Sequence, residues 1–178
     1  DAKLSDSVTY DITAWSLPYV YGLEGIASET KVTHTNTYRF ETINNTLAEG
    51  IGYAFQWDGF ASAQLLSTLL QHKINAKASE YPFKIGAVDF PRGSILVLTN
   101  GNKGANYTQT LKQEADKYAV QLYAISSGIL EGGKDVGSSA VQTIKAPKVL
   151  MLAGEEQRAL NVGEVWNYFD NQLKYPIT

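Results

Sequence analysis

The side chains that could do chemistry are few and far apart. The chain has no cysteine, which removes thiolate nucleophiles, disulfides and Cys-ligated metals. It has two histidines, His34 and His72. A hydrolytic zinc site needs about three converging His or carboxylate ligands and one position open to water. Neither histidine has a His or Glu three or four residues away, so neither carries zinc-ligand spacing. No Gly-x-Ser-x-Gly elbow is present for a serine nucleophile. Glu155 and Glu156 are paired carboxylates of the kind that does acid–base work when environment splits their pKa values. As neighbours in a loop they point apart and stay solvated.

Two loops are better candidates for binding than for catalysis. Trp57 and Asp58 follow an apolar stretch, where a crevice beyond a strand's carboxyl end would put them against a ligand. The run from Gly128 to Ser139 is glycine-rich, and its end, Gly137-Ser138-Ser139, offers backbone amides to an anion. It matches neither the P-loop nor the dinucleotide spacing. The candidate ligand-binding set is therefore Trp57, Asp58, Gly137, Ser138, Ser139 and Glu155, with no catalytic and no metal residue in this chain.

The totals exclude several classes. With 15 basic and 18 acidic residues the net charge is −3, and Lys and Arg are scattered, against the basic stripe of a nucleic-acid surface. No apolar run approaches the roughly 18 residues of a membrane span. Apolar residues make up 44% of the 178, enough for a buried core. The chain starts at Asp1 without a signal peptide and stops after a helical pattern, so both ends read as cut from a longer precursor.

The elements that would position these loops alternate in period. Residues 10 to 22 are aromatic and apolar, with a short helix that Gly22 or Gly25 would end. Thr30 to Phe40 alternates like a strand. From residue 51 the pattern predicts strands at 51–55, 74–78, 94–99, 120–125 and 147–154, with helices over 60–73, 107–118 and 162–173. The helix over 60–73 would carry Ala63, Leu66, Leu69 and Leu70 on its apolar stripe. The continuous run Ile95-Leu96-Val97-Leu98 suits a strand covered on both faces, as in a parallel sheet. Strands alternating with helices then imply βαβ units and a three-layer, mostly parallel α/β sheet of flavodoxin-like kind. Residues 1–50 form a small N-terminal helix–strand appendage, and 51–178 the α/β domain.

Tyr10-Asp11-Ile12-Thr13-Ala14-Trp15-Ser16-Leu17-Pro18 resembles a segment near the end of the catalytic region in bacterial zinc carboxypeptidase-like proteins of peptidase family M14. Tyr53-Ala54-Phe55-Gln56-Trp57, Asp135-Val136-Gly137-Ser138-Ser139 and Lys148 to Gly154 followed by Trp166-Asn167-Tyr168-Phe169-Asp170 resemble the class I glutamine amidotransferase-like domain of those proteins. The peptidase family's His-x-x-Glu zinc pair is missing here, as is the amidotransferase Cys. The resemblance therefore implies a non-catalytic C-terminal module of a periplasmic or secreted parent, with zinc held in the parent's own N-terminal peptidase domain. That domain would be the module's partner, docked through the aromatic strip Tyr10–Tyr21, and the same strip would support self-association. The alternative is a small-ligand, peptide- or sugar-binding α/β module without enzymatic activity.

Overall fold

The computed structural model describes residues 18, 21–33, 42–104 and 106–178. The chain divides into two units, Asp1–Arg39 and Phe40–Thr178. In the first unit the described residues are all exposed, including Tyr21, Leu23, Ile26 and Val32. A helical end at Pro18 and Tyr21 closes at Gly22, whose φ of 62° lets the Leu23 N–H reach the Pro18 carbonyl at 2.8 Å. Val32 and its neighbours Lys31 and Thr33 are not in a strand. The rest of the expected Thr30–Phe40 strand, most of the aromatic strip and His34 lie outside the described residues.

The second unit is built on β1 (Gly52–Phe55), α1 (Phe60–Gln71), β2 (Lys77–Ser79), β3 (Phe83–Ile85), β4 (Val88–Phe90), β5 (Ile95–Leu98), α2 (Tyr107–Lys117), β6 (Tyr123–Ile125), β7 (Val141–Thr143) and α3 (Ala159–Trp166). Helices and sheet are combined in one α/β unit, but the sheet is antiparallel rather than mostly parallel. Its order is β6-β1-β5-β2-β7, and every adjacent pair runs antiparallel. β1 and β2 run the same way with β5 inserted between them. β5 and β6 run the same way with β1 between them. Two βα crossovers interleaved like this are the split β-α-β-β-α-β arrangement, extended by β7 at one edge.

Side-chain alternation sends the central strands in two directions. Tyr53, Phe55, Ile95 and Val97 face the helices and pack with Leu65 and Leu69 of α1 and Leu111 and Ala115 of α2. Thus α1 turns Leu65 and Leu69 inward; of the expected stripe Leu69 is fully buried, while Ala63, Leu66 and Leu70 are half-buried. Ala54, Leu96 and Ile125 face the other way. They are covered by Phe83 and Phe90 from the β3–β4 hairpin and by Leu130 from the loop after β6. The Phe83 and Phe90 rings stack at 4.8 Å, and Tyr123 meets Phe90 edge-on at 5.3 Å. This second cover is why the β5 run is apolar throughout. Each fully buried Phe or Leu here contributes about 1.5–3 kcal/mol. Gly52 is required where β1 meets β5: a Cβ there would lie 2.5 Å from the Val97 carbonyl oxygen.

Both crossover helices stop in the same way. Ile74 N–H bonds the Leu69 carbonyl and Lys73 N–H the Leu70 carbonyl. Val120 and Ala119 repeat this onto Ala115 and Asp116. These are Schellman ends whose left-handed residues are Lys73 (φ 58°) and Ala119 (φ 54°) instead of glycine.

Asn45 ties the start of the unit to the end of α2. It is buried, and its backbone N–H and Nδ2 both donate to Asp116 Oδ1 at 2.7 and 2.8 Å. Nδ2 also donates to the Val120 carbonyl, while Oδ1 accepts from Leu122 N–H at 2.7 Å. Partial burial pushes the Asp116 carboxyl up, but the Lys112 ammonium and the two Asn45 donors outweigh it and hold the group below its ordinary value.

The last stretch is not the buried strand expected at 147–154. Val149 makes a single parallel bridge to Ile177, and Leu150 and Leu152 are 70% and 77% exposed. Helix α3 continues as a π-helical turn over Asn167–Gln172. The chain end is held on α1 by three side chains at helical spacing. Gln64, Ser67 and Gln71 donate to the carbonyls of Gln172, Leu173 and Lys174 at 2.8, 2.8 and 2.6 Å.

A non-glycine left-handed residue costs about 1–2 kcal/mol, and glycine gives back about 0.5–1 through unfolded-chain freedom. Lys73→Gly and Ala119→Gly should therefore each raise stability by about 0.5–1 kcal/mol in urea titrations. Asn45→Ala should lower it by about 2–4 kcal/mol, because Leu122 N–H and the Val120 carbonyl lose their buried partner. The Asp116 contribution is fully present above the unfolded carboxyl value near 3.9 and is lost as pH falls through the lower folded value. Stability measured between pH 4 and pH 2 should consequently fall less steeply in Asp116→Asn.

Candidate functional site

The sequence-predicted binding residues sit in separate places. Trp57 and Asp58 lie beyond the carboxyl end of β1, both exposed. Trp57 stands beside the Gly93 turn. Asp58 Oδ1 accepts from Ser62 Oγ at 2.9 Å, so this carboxylate braces the first turn of α1 through a side chain. Ser62 Oγ also reaches the Gln56 carbonyl at 2.9 Å.

Gly137, Ser138 and Ser139 form the turn that enters β7. Ser138 N–H bonds the Asp135 carbonyl, and Val141 N–H bonds the Ser138 carbonyl. β7 is three strand positions from β1 in the sheet order, so the turn stands about 14 Å from the Trp57 end at ordinary strand spacing. Glu155 is exposed in the loop before α3. Among the described residues no hydrogen bond or ion pair joins any two of the six.

The metal question has a similar answer. Among the described residues no three His, Cys, Asp or Glu side chains stand close enough to share an ion. His72 is exposed at the end of α1. The ion pairs found are Lys84–Asp89, Lys112–Asp116 and Lys117–Glu114. The first braces the β3–β4 hairpin and the other two lie along α2. Asp89 and the Glu114 and Asp116 carboxylates are thus engaged in holding elements together.

The surface feature that stands out is apolar. Leu150, Leu152 and Leu160 are 70–81% exposed, and Val165, Trp166 and Tyr168 are about half exposed. Met151, Val162 and Trp166, with Ala153, Ala159 and Gly163, line an open groove of about 420 Å³. Helix α3 buries none of its residues. A Val-Leu-Met-Leu run followed by a Val-Trp-Phe helix has the composition of a buried βα unit, so the sequence predicts core here. The composition is that of a core, and the position is on the surface. Among the described residues no helix is long and apolar enough to cross a membrane.

Comparison with protein-family models, with curated proteins and with solved structures gives no match to this chain.

Proposed function

We propose that this chain is an accessory docking module of a larger zinc carboxypeptidase-like protein, with the catalytic groups and the zinc on the partner domain. The observation that carries the reading is the exposed stretch from Leu150 to Tyr168, an extended segment and helix α3. Three leucines in open water and an apolar groove beside Trp166 forgo about 1.5–3 kcal/mol per large side chain. Contiguous exposure of this kind marks a surface that another body covers. The partner in this reading is the peptidase-like domain implied by the resemblance of Tyr10–Pro18 and Lys148–Gly154. A periplasmic or secreted setting belongs to the same reading.

The test is to purify the product of the whole gene, quantify zinc and assay release of C-terminal residues from peptides. It is then repeated with Leu150→Ser/Leu152→Ser. The isolated chain should keep its urea midpoint in this double variant, since both side chains are already in solvent. The whole protein should bind about one zinc, cleave, and lose thermal stability or activity in the variant. Absence of zinc and of cleavage in the whole protein would overturn the peptidase link. An unaffected variant would overturn the docking face.

A further inference from the structure

A second feature lies away from the apolar stretch, from Trp57 and from the Gly137–Ser139 turn. The end of α1 and the loop after β5 border an open cavity of about 430 Å³, lined by His72, Lys73, Lys103, Asn106, Tyr107 and Thr110 among others. That size falls in the ordinary range for small-molecule sites. Its charge is one-sided. The chain as a whole is acidic, with 18 acidic against 15 basic residues, yet among the described residues no carboxylate lines this cavity and two lysines do, with His72 beside them. Among the described residues neither Lys73 nor Lys103 is in an ion pair, whereas Lys84, Lys112 and Lys117 each are.

The walls are also fixed in place. Asn102 is buried and its Oδ1 accepts from Asn75 N–H at 2.7 Å, while its Nδ2 donates to the Asn75 and Leu98 carbonyls at 2.9 Å each. Asn75 Nδ2 returns a bond to the Gly101 carbonyl. The two loops that carry Lys73 and Lys103 are therefore clamped to each other. The Thr99 and Tyr107 hydroxyls bond at 2.6 Å and hold the far side. A cationic cavity with preformed walls loses little ordering entropy when it takes a ligand.

We propose that this cavity binds a small oxyanion-bearing ligand, a phosphoryl or carboxylate group held between Lys73 and Lys103, with Thr110, Asn106 and the His72 ring as hydrogen-bonding neighbours. The site is independent of the docking reading above. It is tested on the full chain by amide chemical-shift titration with inorganic phosphate, and in parallel with succinate, at constant ionic strength so that screening does not change. The expected result is saturable shifts confined to residues 72–75 and 101–110, weakened at least ten-fold in Lys73→Ala/Lys103→Ala. Both substitutions are at exposed positions, and circular dichroism of the variant checks its fold. The stronger of the two anions names the source chemistry. Shifts that rise without saturating, that spread over all lysines, or that persist in the double variant would overturn the proposal.

Discussion

Everything in the second unit follows from two strands that are buried on both faces. β1 and β5 lie side by side at the centre of the sheet, and Phe55, Ala54, Leu96 and Val97 are wholly removed from water. A strand in that position needs two covers. On one face α1 and α2 supply Leu65, Leu69, Leu111 and Ala115. On the other, the β3–β4 hairpin and the loop after β6 supply Phe83, Phe90 and Leu130. The insertion between β2 and β5 thus supplies the cover of the second face, with Phe83 and Phe90. Gly133 shows how closely it fits, since a Cβ there would come within 2.6 Å of Phe83.

The same constraint explains what was and was not legible in the sequence. Helices α1 and α2 were placed within two residues of their ends, because their apolar spacing and their flanks are local signals. The central strands were located, but their direction was misread. A continuous apolar run reports burial on both faces, and helices on both sides of a parallel sheet are one way to achieve it. Here a hairpin replaces the second helical layer, and residues 82–93 read in sequence as a turn-rich connection with one short strand because each of its two strands is three residues long. Strand direction is a long-range property, and nothing in one strand's composition records it. Asn45 was also hidden. In Asn44-Asn45-Thr46 it reads as turn chemistry, yet it is buried because Asp116 of α2 and Leu122, just before β6, satisfy both ends of its amide.

The candidate binding residues separate for the same reason. In a parallel sheet the loops after β1 and β6 would open at one end. In the antiparallel sheet β1 and β6 run in opposite directions, so the loop after β6 starts at the far end and crosses a face before entering β7. The polar groups that are engaged, Asp58, Asp89, Asp116 and Glu114, brace elements. The groups left facing solvent together are the basic ones around Lys73 and Lys103 and the apolar ones around Leu150 and Trp166. Those two surfaces suit binding and docking.

The central claim is the strand order, and inter-strand nuclear Overhauser contacts on the labelled chain test it most directly. Backbone contacts linking Tyr53 with Val97 and with Ala124, and Ala78 with Ile95 and with Gln142, are expected in antiparallel register. Direct backbone contacts between β1 and β2, as adjacent parallel strands, would contradict it and restore the doubly wound sheet.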